Sequence, residues 1–310
     1  MPDLGTPTLN QVRVFLAVVE TGSFSAAARK LNRRQSVISY TIANLEQQLG
    51  GLSLFDRTSR RPVLTEAGRA ILADAKKLAS GAAELQARAR GLRQGLEAEV
   101  AVAVDVMLPT HRLVSALTGF RAAFPTVTLR LYTEALGSVA RLVLDRTCAI
   151  GASGPIPRRM DELVSRPLGT VSIIPVVAPT HPLACLSAAG GSRAVRDYIQ
   201  LVLTDRSELT RGEDFGVLSP QTWRLADLGA KHILLLQGIG WGGMPDHLIQ
   251  DDLRTGRLVR LPLDGFPDER YVFSGISRAD APPGPAARWL LDQLSENAAV
   301  PPQGTSLLET

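Results

Sequence analysis

A chain of 310 residues with 45% hydrophobic and 21% charged residues has a globular composition and is long enough for two or three folded units. No apolar run reaches the roughly eighteen residues of a membrane span, the N-terminus lacks the regions of a signal peptide, and two cysteines make no disulfide framework, so we expect a cytoplasmic protein. The net charge of +4 is uneven: residues 1–96 hold 14 Lys and Arg against 7 Asp and Glu, which marks this part for a polyanion such as nucleic acid.

Three helices are predicted in the first 50 residues. The first, over 8–20, has its apolar residues on one face and ends at Gly22. Ser25 is placed to cap the second, from Ala26 to Leu31, whose alanines allow another helix to approach closely. The third, over 35–49, has a buried stripe made of Ile38, Ile42, Leu45 and Leu49.

The second and third helices, with the basic turn between them, have the pattern of a helix-turn-helix, whose second helix enters the major groove. Arg33 and Arg34 in the turn suit the phosphate backbone. The side of the third helix opposite the stripe is polar, and Gln and Ser can bond to base edges. An ordinary helical hairpin within a larger core is the alternative interpretation. We call this side the recognition face; it consists of Gln35, Ser36, Ser39, Tyr40 and Ala43.

Two short strands are predicted next, over 52–55 and 62–64, joined by a segment with three arginines. A basic hairpin beside a helix-turn-helix is typical of a wing that contacts phosphates. This arrangement favours DNA binding over a plain hairpin. The arginines are Arg57, Arg60 and Arg61.

A long helix is predicted over 65–96. Its apolar residues recur in steps of 4 and 3, a period of about 3.5 that is typical of a helix packed on a partner helix. We call this row the seam and expect it to form a dimer; packing on its own subunit is the alternative. The seam consists of Ile71, Ala75, Leu78, Ala82, Leu85, Ala89, Leu92 and Leu96.

Strands and helices alternate over the remainder, which predicts parallel α/β units. Strands are expected at 100–104, 127–134 and 148–154, and helices at 108–124 and 139–145. The alternation continues through 163–179, 198–205, 232–241 and 271–278, with a helix over 225–237.

Several of these segments together resemble the LysR-type transcriptional regulators. They are LNQVRVFLAVVETGSFSAAARKL, QSVISYTIANLEQQLG, LFDR and LTEAG over residues 8–70, and VLSPQTWRLADLGAKHILLLQGIGWGGMP further on. The resemblance implies an α+β protein: a winged helix-turn-helix domain (1–65), a linker and dimerisation helix (66–96) and an effector domain (97–300) like the periplasmic binding proteins. Lobe one would comprise 97–168 and 273–300, lobe two 169–272, with crossings near 167–168 and 271–274. Pro301, Pro302 and Gly304 separately indicate that the end of the chain, from about Asn297 and throughout 301–310, is disordered.

The same resemblance implies the sites and partners. Gln35, Ser36, Ser39 and Tyr40 fall on DNA-reading positions, Ser25 belongs to the same DNA-binding surface, and Arg57 falls on the wing. The partners would be operator DNA, a small-molecule effector, other copies of the chain as a dimer or tetramer, and RNA polymerase if the protein is an activator. Two departures stand out, because Arg34 replaces the usual capping Ser or Thr and Ser36 replaces the usual Pro. The missing cap costs about 1 kcal/mol of helix stability.

The effector is expected in the cleft between the lobes. Free N–H groups at the helix start over 107–110, with Met107 and Thr110, suit a carboxylate or similar anion. By resemblance, the cleft would also be faced by Asp105, Thr133, Ser138, Thr204, Asp205 and Trp241.

Other motifs favour no further chemistry. Gly238–Gly243 fits a dinucleotide pattern, but a helix precedes it where that site needs a strand. Gly151–Gly154 lacks the full nucleophile elbow, the four histidines lack ligand spacing, and Cys148 is expected to be buried, which leaves Cys185 as the main candidate for redox sensing. We predict no cofactor, metal or catalytic residue. An α/β enzyme with a basic N-terminal module and a ligand-independent architectural DNA-binding protein are the alternatives.

Overall fold

The computed structural model describes residues 5–56, 62–156, 160–185, 191–205, 207–213, 215–263 and 270–296. The chain divides into two compact units, the first ending at Arg93 and the second beginning at Gln94. Within those ranges, no helix has the length and apolar character needed to cross a membrane.

The first unit begins with three helices, α1 (Leu9–Thr21), α2 (Phe24–Lys30) and α3 (Gln35–Gln48). A capping box opens α1: the Gln11 N–H donates to Thr8 Oγ1 (3.3 Å), and the Thr8 N–H donates to Gln11 Oε1 (2.6 Å). Gly22, with φ 63°, ends α1 as predicted. The predicted cap of α2 is wrong, because Ser23 has the extended backbone of a cap and its Oγ accepts from the Ala26 N–H.

The core of the first unit lies between these helices. Ile38, Ile42 and Leu45 of the predicted stripe are buried, whereas Leu49 is only half-buried. Ala27 and Ala28 are buried on α2, which confirms that small residues let the helices pack closely. The ring of Phe55 closes the core, with its centroid 5.5 Å from that of Phe15.

Two antiparallel strands follow, β1 (Phe55–Asp56) and β2 (Val63–Leu64). The prediction of a hairpin is confirmed, although each strand has only two residues and is shorter than expected. Arg57, Arg60 and Arg61 lie outside the described residues, and their predicted phosphate contacts stay predictions.

The long helix is α4 (Glu66–Arg93), with 28 residues. The helix ends three residues earlier than predicted, and Leu96, the last residue of the seam, packs on the core of the second unit. The seam residues on α4 form two parts. Ala75 is buried and Ile71 packs on the core of the first unit, so this end of the seam serves its own subunit. Leu78, Leu85 and Leu92 are 60%, 69% and 50% exposed, an unusual state for three leucines in one row.

The second unit contains a seven-stranded sheet. Six strands are neighbours in the order β10 (Val259–Arg260), β6 (Leu163–Val177), β11 (Arg270–Arg278), β5 (Ile150–Ser153), β3 (Glu99–Asp105) and β4 (Thr128–Glu134), and β9 (Gly242–Pro245) also pairs with β6. The first lobe is built on β3 (Glu99–Asp105), α5 (Thr110–Ala123), β4 (Thr128–Glu134), α6 (Gly137–Leu144), β5 (Ile150–Ser153) and the last helix, α10 (Pro285–Glu296). β3 pairs in parallel with β4 and β5, which confirms the predicted α/β units here.

The second lobe contains α7 (Gly191–Ala194), β7 (Gln200–Leu203), β8 (Thr222–Leu225), α8 (Leu228–Leu236), β9 (Gly242–Pro245), α9 (Asp246–Arg254) and β10 (Val259–Arg260). The helix predicted from residue 225 starts later, because residues 222–225 pair with β7 as a strand. Asp227 then caps α8, accepting from the Ala230 N–H at 2.6 Å.

Two long strands, β6 (Leu163–Val177) and β11 (Arg270–Arg278), run through both lobes and pair antiparallel. The sheet is therefore mixed, and the prediction of parallel pairing holds only within β3–β5 and β7–β8. The register of this pair shifts between Phe273 and Ser274, opposite Gly169 and Pro167, so Leu168 has no partner in the ladder. The buried Arg112 donates to the Leu168 carbonyl (2.5 Å) and the Leu294 carbonyl (2.6 Å) and thereby ties this irregular point to α10.

Candidate functional site

The recognition face of α3 is open to solvent. Gln35, Ser36 and Ala43 are exposed, Tyr40 is 69% exposed and Ser39 is half-buried. The buried stripe on the opposite side fixes the orientation of the helix, so the polar side chains project away from the core. Sequence reasoning missed Val37, which is 38% exposed near the start of the helix and could contact a thymine methyl group.

The turn before α3 presents basic side chains. Arg33 and Arg34 are exposed, and Asn32 takes a left-handed backbone conformation with φ 51°. Arg34 occupies the cap position and makes no side-chain capping bond, as the sequence predicts. The first N–H groups of α3 therefore stay free for another acceptor such as a phosphate. Ser25 lies in the first turn of α2, with its Oγ 2.9 Å from the Ser23 Oγ.

Between the lobes of the second unit lies a small cavity of about 60 Å³, which we call the inner cavity. The wall of this cavity is mainly apolar. Of the residues predicted to bind the effector, only Met107 lines it. The lining residues are Met107, Leu136, Ile173, Gln200, Leu201, Val202, Leu203, Phe215, Gly216, Lys231, Gly243 and Tyr271.

Asp105 lies behind one wall of the inner cavity and holds lining residues in place. It is 1% exposed and accepts from the Met107 N–H (2.9 Å), the Leu136 N–H (3.1 Å) and the Tyr271 hydroxyl (2.7 Å). Burial raises the pKa of this carboxyl to about 6, although the hydrogen bonds oppose the shift. Burial and the neighbouring Asp105 raise the pKa of Tyr271 in turn. Asp105 thus holds two cavity-lining loops in place and does not itself line the cavity.

Lys231 lines the opposite wall and was not anticipated from the sequence. It is 4% exposed, and its Nζ donates to the Gly243 carbonyl at 2.7 Å. Burial lowers the pKa of its ammonium group to about 8, because the charged form loses its hydration. The available signal was the segment Leu228–Leu236, LGAKHILLL, in which a charged residue interrupts an apolar helix.

A second, larger opening of about 770 Å³ lies between α6 and the loops that follow β7 and β8. We call it the outer groove. Ser138, Thr204 and Asp205, which were expected to face the effector cleft, line this groove and not the inner cavity, and the Ser138 hydroxyl donates to Asp205 at 3.4 Å. The groove is acidic and does not suit the predicted anion. Its charged lining residues are Glu134, Arg141, Asp145, Asp205, Glu208 and Asp227.

Three predicted effector residues are placed differently. Trp241 is fully buried in the second lobe and its Nε1 donates to the Val195 carbonyl (3.2 Å), so the prediction that it faces the cleft is wrong. A large aromatic side chain covers more apolar surface inside a core than at a cleft wall. Thr110 and Thr133 are exposed and line neither the inner cavity nor the outer groove.

The remaining motifs have structural roles. Gly238–Gly243 follows α8 and includes the first two residues of β9, so a helix precedes a strand, the reverse of a dinucleotide site. Ser153 is fully buried within β5, away from either opening. Cys148 is buried, which raises the pKa of its thiol to about 11, whereas Cys185 is exposed. In the described part of the chain, no group of three His, Cys, Asp or Glu side chains is arranged to hold a metal.

Comparison with known proteins agrees with both units. A profile described as "LysR substrate binding domain" matches residues 93–299, and one described as "Bacterial regulatory helix-turn-helix protein, lysR family" matches residues 9–69. The HTH-type transcriptional regulator AceR of Acinetobacter baumannii is 26% identical over 294 residues, 94% of this chain and 97% of that protein.

Two further comparisons extend this result. The probable HTH-type transcriptional regulator YhaJ of Escherichia coli is 30% identical over 253 residues, 81% of this chain and 84% of that protein. A structure of a Corynebacterium glutamicum OxyR mutant has the same fold, with a TM-score of 0.51 at 23% identity over 94% of this chain and 93% of that chain. The chain therefore belongs to the LysR family and is a DNA-binding transcriptional regulator with a helix-turn-helix and a two-lobed effector domain.

Proposed function

We propose that this regulator acts as a homodimer or a homotetramer, reads its operator with the recognition face of α3, and responds to a small molecule bound between the lobes. The observation that supports operator reading is the polar, exposed side of α3 set against a buried stripe. Gln35 and Ser36 stand in the first turn, the part of a recognition helix that contacts base edges in this class of motif. Such a protein works in the cytoplasm, beside the DNA.

Affinity for DNA comes from a second set of residues. Arg33 and Arg34 are exposed and directly precede the N-terminal end of α3, where the first N–H groups have no side-chain cap. Phosphate contacts of this kind position a protein on the duplex and carry no sequence information. In this proposal Arg33 and Arg34 position the protein on the DNA, and the recognition face determines which base sequence it binds.

The exposed half of the seam supports self-association. Leu78, Leu85 and Leu92 follow one another at intervals of seven residues, so they form one row along α4. Burying them against the same row of a second copy would stabilise the pair by roughly 1.5–3 kcal/mol for each fully covered leucine. A dimer places two recognition helices for two half-sites, as a two-fold operator requires.

The effector is proposed to occupy the inner cavity. It is walled by both lobes and by one residue from each of the long strands, Ile173 of β6 and Tyr271 of β11, and such crevices are common ligand sites. A ligand that favours one lobe arrangement would shift the equilibrium between two spacings of the DNA-reading helices. If the regulator activates transcription, RNA polymerase is a further partner.

The test is a comparison of four purified full-length proteins on an operator and on unrelated DNA. Gln35→Ala should lower specific binding by about 1–3 kcal/mol and leave unrelated DNA nearly unaffected. Arg33→Ala should weaken both and flatten the salt dependence by about one unit. Gln47→Ala, which removes an exposed glutamine from the last turn of α3, is the matched control and should behave as the wild type. If Gln35→Ala and Arg33→Ala changed specific and non-specific DNA binding in the same way, the proposed separation between base-reading and phosphate-binding residues would be contradicted.

A further inference from the structure

Lys231 is the one lysine in the second unit, where every other basic residue is arginine or histidine. It projects from α8 towards the inner cavity, and its stem packs on Gly242, whose added Cβ would come within 3.2 Å of the Lys231 Cε. Its ammonium group has three N–H donors, of which one reaches the Gly243 carbonyl. The remaining N–H donors of this buried ammonium group can therefore donate to a further hydrogen-bond acceptor.

No ion pair compensates this charge among the residues that the structure describes. The other polar groups of the inner cavity are already engaged. The Gln200 amide donates to the Gly216 carbonyl (2.7 Å) and accepts from the N–H groups of Leu218 and Ser219, and the Tyr271 hydroxyl donates to Asp105. Burying a charge without a partner is unfavourable, so an anion that supplies the missing charge gains more here than at the surface.

The size and surroundings of the inner cavity limit that anion. A volume of about 60 Å³ holds a few non-hydrogen atoms, roughly the space of four ordered waters. Leu201, Leu203 and Phe215 supply an apolar wall for a short hydrocarbon body. The carboxylate of Asp205 acts electrostatically on Tyr271, which lines the inner cavity, and therefore disfavours a second negative charge on the ligand.

We propose that Lys231 binds the carboxylate of a compact monocarboxylate with a short apolar body, of about two to four carbons, in the inner cavity. This inference rests on the proposed effector function and deepens it by naming the ligand class. It also replaces the helix start at Thr110 as the anion site, because Thr110 is exposed and does not line the inner cavity.

The experiment measures the thermal stability of the full chain in chloride-free buffer, with tryptophan fluorescence as the signal. All three tryptophans, Trp223, Trp241 and Trp289, lie in the second unit, so the signal follows that unit alone. The probes are acetate, propionate and butyrate, their neutral amides, and succinate. The wild type should gain melting temperature with the monocarboxylates and not with the amides or succinate.

Two variants locate the effect. Lys231→Met should weaken the response to the monocarboxylates by about 10- to 100-fold in apparent dissociation constant, the value of one charge-assisted hydrogen bond. Lys77→Met, which removes an exposed lysine of α4, is the control and should respond as the wild type. In the wild type, the ¹³Cε signal of Lys231, assigned by its loss in Lys231→Met, should also shift on adding propionate.

Each remaining outcome overturns the proposal. Equal stabilisation by amides and carboxylates would show that charge is irrelevant, and an unchanged response in Lys231→Met would show that the anion binds elsewhere. A panel without any effect would show that the inner cavity takes no small monocarboxylate. Sequence-specific operator binding, measured separately, still supports the proposed function in all three cases, so the two failures are distinguishable.

Discussion

Lys231→Met should make the unliganded second unit more stable at neutral pH. Burial lowers the pKa of this lysine to about 8 from its ordinary value of 10.5, so the fold binds the proton less well than the unfolded chain. That difference corresponds to about 3 kcal/mol of destabilisation, fully present below pH 8. Methionine has a similar length and no charge, but it leaves the Gly243 carbonyl without its donor, which costs about 1 kcal/mol. The net gain is about 2 kcal/mol at pH 7.

The sign of the pH dependence makes this prediction specific. A lysine whose pKa is lowered by folding destabilises the fold less as the pH rises from 8 towards 10.5, because in that range the unfolded chain binds the proton and the folded chain does not. The advantage of Lys231→Met should therefore shrink above pH 8 and vanish near pH 10, where the lost hydrogen bond and the remaining charge penalty balance.

Urea unfolding followed by tryptophan fluorescence at pH 7, 8, 9 and 9.5 measures both quantities. Lys77→Met, an exposed lysine on α4, controls for charge removal in general and should leave the second unit unchanged at every pH. A variant that is less stable than the wild type at pH 7, or a difference that does not vary with pH, would refute the view that an uncompensated cation is buried there.

Three further predictions concern other parts of the chain. Leu85→Asp should dissociate the dimer in sedimentation velocity, because it puts a carboxylate into the proposed interface. The control Ala83→Asp, at an exposed position outside the seam, should leave the dimer intact, and unchanged sedimentation of Leu85→Asp would place the interface elsewhere. The raised pKa of Asp105, about 6, means that the folded chain holds this proton more tightly than the unfolded chain, so the second unit should lose about 3 kcal/mol of stability as the pH rises from 4 to 6. Asp105→Asn should remove this loss, and parallel pH profiles of mutant and wild type would contradict the prediction. Gly68→Ala should destabilise the first unit, because a Cβ would lie 2.2 Å from the Leu54 carbonyl oxygen; circular dichroism of thermal unfolding measures it, and an unchanged melting profile would argue against that close approach.

Local sequence patterns predict the first unit well because its contacts are short-range. The spacing of Ile38, Ile42 and Leu45 alone orients α3, and Gly22 alone marks the end of α1. The choice between Ser23 and Ser25 as the cap of α2 is different. Both are short hydroxyl side chains beside Phe24, and only the packing of the helix decides where its first turn begins.

The second unit is less predictable because its contacts join distant segments. Leu225 looks like the start of a helix until residues 222–225 pair with β7. The antiparallel course of β11 cannot be read from a simple alternation of strands and helices. Trp241 and Lys231 show the same limit at the site. Which of the two side chains lines the inner cavity depends on how β7, β9 and α8 pack together. The sequence analysis expected Trp241 to face the cleft, whereas in the structure Trp241 is buried and Lys231 lines the inner cavity.

Selection of bound sequences from a random DNA library by the purified full chain tests the central claim most directly. We predict enrichment of a motif with two-fold symmetry, whose half-sites lie about one helical turn of DNA apart or a multiple of it. The matched selection with Gln35→Ala should lose preference at one position in each half-site, because that side chain is proposed to contact a base edge. Recovery of sequences without a shared motif, or the same motif at equal strength from Gln35→Ala, would contradict operator reading by the recognition face of α3.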